Sequence, residues 1–216
     1  MRTRFCLAIA VCFIALTALS TAQSASASGE IPSDFDHFFQ LRSDTFQNNT
    51  TLPISAINNI TVNGVNACSI DGSPGGDESP ELSWSRAPFG TQSFVVIAYD
   101  VTAAFTHWGM YNIPSYTRKL PENAGVAGSR FGQQIVNDFF AGAEYDGPCP
   151  PNGVEPFVHQ YVFTVCALDT FLKLPSSANF PASAETLYQA LIKSGQSHHI
   201  LASASMTGLY STTPTD

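Results

Sequence analysis

Three stretches of this chain leave little choice of secondary structure. "SFVVIAYD" (93–100), "HWGMYNIP" (107–114) and "QYVFTVCALDTF" (160–171) are apolar runs dense in β-branched and aromatic side chains. Runs of that length, closed by turn residues, read as buried strands. "ELSWS" (81–85) and "HHILASASMTGLYS" (198–211) alternate, as half-buried strands do. "FQLRSDTFQNNTTLPISAI" reads as an early strand or two with loops. One helix is signalled, in "SAETLYQALIKSG". Ser183 suits its N-cap, Glu185 its first turn and Gly195 its C-terminal cap. Ala184, Leu187 and Leu191 form one apolar face. The pattern predicts a mainly β fold with antiparallel pairing and one late helix.

The first residues carry Arg2 and Arg4, an apolar run from Phe5 to Leu19, and then small residues including Ala25-Ser26-Ala27. That layout predicts a secretory signal peptide over 1–27, cleaved between 22 and 27. A membrane span needs about 20 apolar residues, more than this run offers. Residues 28–59 then read as an N-terminal extension with the first strands, and 60–216 as the main domain. Export places the protein in a secreted or periplasmic setting, and no other stretch is apolar enough for an integral membrane protein. The chain has 9 basic and 17 acidic residues; without Arg2 and Arg4 the balance is 7 to 17, a net charge of −10. Such a protein repels nucleic acid and anionic membrane surfaces at long range, so an anion must be held by a few local donors.

Cys6 and Cys12 lie in the predicted signal. Cys166 sits in an apolar run and is expected to pack as a small hydrophobe. Cys68 and Cys149 lie in turn-rich segments, and export permits a disulfide. If one pair forms, it joins Cys68 to Cys149. Asn48, Asn49 and Asn59 each open an N-x-Thr triplet, meaningful only in a eukaryotic secretory route. More than forty residues, 116–157, show little periodicity, and a loop region that long in a small domain is usually functional.

Polar residues gather at the ends of the apolar runs. Asp100 closes one, His107 opens the next, and His159 and Tyr161 stand at the start of the third. Asp100 and His107 fit a hairpin connection, and His159 and Tyr161 share one face of a strand. Ordinary rim hydrogen bonds, a metal site of Asp100, His107 and His159, and an anion pocket are all compatible with this spacing. No metal-ligand motif is present, and nothing asks for a cofactor. A hydrolase using Asp and His as acid and base is a further reading, although no G-x-S-x-G nucleophile motif occurs.

Five segments, "SPELSWSRAPFGTQSFVVIAYD", "HWGMYNIPSYTRKLPENAG", "NDFFAGAEYDGPCPPNG", "HQYVFTVCALD" and "LASASMTGLYS", follow one another in the order and near the spacing of one family. Over residues 60 to 212 the chain resembles the phosphatidylethanolamine-binding proteins, and most closely their bacterial Raf-kinase-inhibitor-like branch. The resemblance implies a large central antiparallel sheet packed on a smaller one, and a small pocket for phosphate-type anions, phospholipid head groups included. It puts the pocket aspartate on Asp100, its histidines on His107 and His159, its tyrosine on Tyr161, and the rim prolines on Pro150 and Pro151. It also implies a binding module before an enzyme. A protein partner, as for a kinase or protease inhibitor, and a homodimer are left open. The chain departs from the family's pattern at three places. Thr102 replaces a second acidic residue in a motif that has also lost both prolines. Gln160 replaces an arginine, which removes a bidentate oxyanion donor. The loop before His107 is shortened.

Overall fold

A computed structural model describes residues 38–177 and 179–214, so the expected signal peptide lies outside the described residues. Strands β1 (Gln40–Arg42), β2 (Thr50–Thr51), β3 (Thr61–Val62), β4 (Val65–Asn66), β5 (Leu82–Ser85), β6 (Ser93–Asp100), β7 (Phe105–Pro114), β8 (Lys119–Leu120), β9 (Gln133–Gln134), β10 (His159–Leu168) and β11 (Ile200–Tyr210) surround one long helix, α1 (Ala184–Gln196). The large sheet runs β2-β11-β10-β6-β7-β9, a smaller sheet runs β1-β5-β8, and β3-β4 form a separate hairpin. The large sheet is antiparallel except at its edge, where β2 lies parallel to β11. Strands β1 and β2, expected in an N-terminal extension, are hydrogen-bonded into the two sheets.

Two cores explain why the middle runs are apolar throughout. Phe94, Val96 and Ala98 of β6 face the small sheet and pack with Leu41, Leu82 and Trp84. The alternate residues, Val95, Ile97 and Tyr99, face α1 and pack with Leu187, Tyr188 and Leu191. A strand covered on both sides needs no polar face, so periodicity disappears. Cys166 lies in the second core and is wholly buried. Helix α1 starts as its sequence predicts, with Ser183 and Thr186 in a reciprocal capping box. It ends differently. Gly195 stays in the last turn, where its carbonyl accepts from Ser197 N and His198 N, and His198 takes the left-handed turn at φ 59°. Among the described residues, no helix is long and apolar enough to cross a membrane.

A disulfide joins Cys68 to Cys149, with the Cα atoms 4.5 Å apart. It ties the segment after β4 to the proline-rich stretch before β10. Gly147 belongs to that stretch because a Cβ there would collide with the Ala56 carbonyl and the Asn58 backbone nitrogen.

Candidate functional site

Asp100, His107, His159 and Tyr161 meet at one end of the large sheet, on three adjacent strands. Tyr161 of β10 pairs with Asp100 of β6, and Asp100 pairs with Phe105 of β7. The turn between β6 and β7 is therefore only four residues, 101–104, and β7 begins two residues earlier than its apolar run suggests. All four side chains are buried.

A β-bulge aims His107 at the others. Ala98 pairs with Trp108, but Tyr99 pairs with Thr106, so β7 carries one extra residue there. Simple alternation would turn Thr106 toward the same face as Trp108. Instead Thr106 Oγ1 bonds to Tyr188 Oη on the helix side at 2.8 Å, and His107 turns inward with its ring centroid 5.1 Å from that of Tyr161. The imidazole of His159 stacks on Tyr161, at 6.4 Å and 25°. Phe105 and Phe139 wall the outer side of His107, at 5.2 and 5.5 Å.

Hydrogen-bond partners orient both imidazole rings. Asp100 Oδ1 accepts from Thr102 N (2.8 Å) and Ala103 N (3.0 Å), which folds the short turn around the carboxylate. His159 Nδ1 donates to Asp100 Oδ2 at 2.6 Å. His107 Nδ1 lies 2.7 Å from the carbonyl oxygen of Asp146. A carbonyl only accepts, so this nitrogen carries the proton. Both rings are thus held through Nδ1, which leaves Nε2 as the open position of each. Burial pushes His107 below the ordinary imidazole range, against the pull of Asp146 and Asp100. It therefore stays neutral near pH 7, and its Nε2 is an acceptor. The Tyr161 hydroxyl is pushed far above the usual tyrosine range, by burial first and then by the charge and hydrogen bond of Asp100. The Tyr161 hydroxyl keeps its proton and the Nε2 of neutral His107 accepts, so the cluster offers a donor and an acceptor, and a proton taken up by an imidazole adds a further donor.

The support for His107 carries no local sequence signal. Asp146, inside "YDGPCPPNG", supplies the carbonyl that orients the ring, and its N–H donates to His107 O at 3.1 Å. Asn137 is 1% exposed. Its Nδ2 lies within 3.1 Å of His107 O, Glu144 O and Asp146 Oδ2. Nothing in the local sequence marks either residue, because both act through loop backbone brought in from afar. Pro150 is buried and Pro151 exposed. Thr212 Oγ1 donates to Pro150 O at 2.8 Å, two residues beyond Tyr210, the partner of His159. The proline pair thus stands at the His159 end of the sheet. Gln160, at the position of the family's arginine, is exposed, and its N–H donates to Thr102 Oγ1 at 3.0 Å. No group of three or more His, Cys, Asp or Glu among the described residues is arranged to hold a metal ion.

The fold and the cluster define a mainly β protein with a buried histidine–carboxylate group at one end of its central sheet. The chain belongs to the phosphatidylethanolamine-binding protein family, which matches residues 42–211. A UPF0098 protein of Aquifex aeolicus is 39% identical over 146 residues, 63% of this chain and 75% of that one. The UPF0098 protein YbhB of Escherichia coli is 35% identical over 147 residues, 65% of this chain and 85% of that one. The crystal structure of Escherichia coli YbcL, described as a new member of the mammalian PEBP family, superposes with a TM-score of 0.62 at 32% identity. That match covers 80% of this chain and 98% of YbcL.

Proposed function

We propose that this chain is an exported binding module. Its ligand is a phosphate-type oxyanion, free or as a phospholipid head group, held at Asp100, His107, His159 and Tyr161 beside the rim of Pro150 and Pro151. The observation that carries this reading is the pair of Nδ1-anchored imidazoles packed against Tyr161. Their open Nε2 atoms suit contact with oxyanion oxygens once a proton is shared. The family's name supports the lipid variant. Binding is favoured over turnover because the ring nitrogens that make hydrogen bonds pair with a carboxylate and a backbone carbonyl, and with no hydroxyl or thiol nucleophile. Loss of the arginine at Gln160 leaves protonation of imidazole as the source of positive charge.

Phosphoethanolamine titrated into protein with ¹⁵N-labelled histidines tests the reading. Saturable shifts at His107 and His159 are expected, and these should be lost in Asp100→Asn. If neither ring responds up to millimolar ligand, the reading is wrong.

A further inference from the structure

A cavity of about 620 Å³ opens between the segment after β10, helix α1 and the start of β11. Small-molecule sites have this size. Of the nine basic residues, all but Arg2 and Arg4 lie in the described region, which leaves seven. Five of these are engaged. Lys119 pairs with Asp44 and Glu81, Arg118 and Arg130 lie over aromatic rings, Arg42 bonds to Gln40, and Arg86 has a partner. The remaining two, Lys173 and Lys193, have no side-chain partner among the described residues, and both line this cavity.

Ser194 adds a polar group to the wall: the residue is largely buried and lines the cavity, and its hydroxyl has no hydrogen-bond partner among the described residues and keeps access to solvent. His199 also borders the cavity. Its Nδ1 bonds to Asp169 Oδ1 at 2.7 Å, which leaves Nε2 open. Glu185 is the one carboxylate of the lining, and its Oε1 already accepts from Gln189 Nε2 at 2.8 Å. Much of the remaining wall is apolar, with Phe171 half exposed beside Leu172 and Ala190. His199 N donates to Ser194 O at 2.8 Å, but the Ser194 hydroxyl makes no hydrogen bond to the His199 ring, so no nucleophile–base pair is assembled.

We propose that this cavity is a second binding site, separate from Asp100, for an amphiphilic oxyanion. Lys173, Lys193 and the free hydroxyl of Ser194 take a carboxylate or phosphate head, and Phe171 and Ala190 take an alkyl or aryl body. Unpaired ammonium groups gain most from an oxyanion that also covers exposed apolar surface.

The test is a titration of octanoate and of octyl phosphate into the ¹⁵N-labelled protein, followed through backbone amides. Saturable shifts are expected over residues 169–175 and 193–199, and the stronger of the two ligands names the head group. The double variant Lys173→Gln/Lys193→Gln should bind about tenfold more weakly with an unchanged melting temperature. Octanol and octylamine should bind much more weakly than either anion. The proposal is overturned if those amides stay still up to millimolar ligand, if the double variant binds as well as the parent, or if octanol matches octanoate. Shifts confined to residues 100–107 and 159–161 would assign the ligand to the first site and likewise overturn it.

Discussion

His107 and Asp77 show how single residues at this end of the sheet carry opposite responses to acid. Asp77 Oδ1 accepts from Gly147 N, yet partial burial and the nearby charges of Asp146 and Glu144 push its carboxyl up to about 6. A carboxyl raised in the folded state stabilises the protein when protonated, and that contribution is lost as pH rises from the ordinary value toward 6. Asp77→Asn should therefore stabilise the protein by about 1 kcal/mol above pH 7, after discounting for solvent screening, and by nothing at about pH 4. Urea melts at the two pH values check this. His107 runs the other way. Its folded imidazole resists protonation, so its contribution is lost as pH falls below the ordinary histidine range. Asn137 stitches the strand bearing His107 to the loop bearing Asp146. Asn137→Ala removes a donor from the buried Asp146 carboxylate and from the Glu144 carbonyl, while His107 O keeps Asp146 N, and should cost about 1–3 kcal/mol in the same melts.

At the scale of elements, the β7 bulge decides whether the strand ends make a site. The strand-end histidines, the carboxylate and Tyr161 were legible in the sequence because polar residues interrupt apolar runs there. The inward turn of His107 was not, because period-two reasoning has no place for an extra residue and nothing in "FTHWG" announces one. The C-terminus of α1 departs from its sequence pattern for a related reason. A glycine near a helix end suggests a cap, but the chain continues to Gln196 and His198 accepts the left-handed turn. Gly109 sits where β7 passes closest to its neighbours. A Cβ there would fall 2.6 Å from Ile135 Cδ1 and 2.9 Å from Leu187 Cδ2. Gly109→Ala should force α1 and the Ile135 segment outward and cost about 1–3 kcal/mol, read as a lowered urea midpoint with an unchanged slope.

For the whole molecule, the two-sided burial of β6 and β10 made the fold class legible, because only a sheet covered on both faces tolerates such runs. The loops were harder to read. Residues 116–157 contain only two-residue strands, and their order comes from distant partners such as Ala56, Asp77 and Thr212. The Cys68–Cys149 disulfide closes a loop with a sequence separation of 81. Replacing both cysteines with serine should lower stability by about 4 kcal/mol in the chain-entropy account, measured by calorimetry against the oxidised parent. Under the proposed function, an oxyanion at the Asp100 site binds more tightly once an imidazole carries a proton. Sulfate tests it most directly, because sulfate does not change its own charge between about pH 5.5 and about pH 8 while histidine does. Titrated at both pH values into protein with ¹⁵N-labelled histidines, sulfate should shift His107 and His159 and bind at least about tenfold more tightly at the lower pH. Equal affinity at the two pH values, or no response from either ring, would contradict the account.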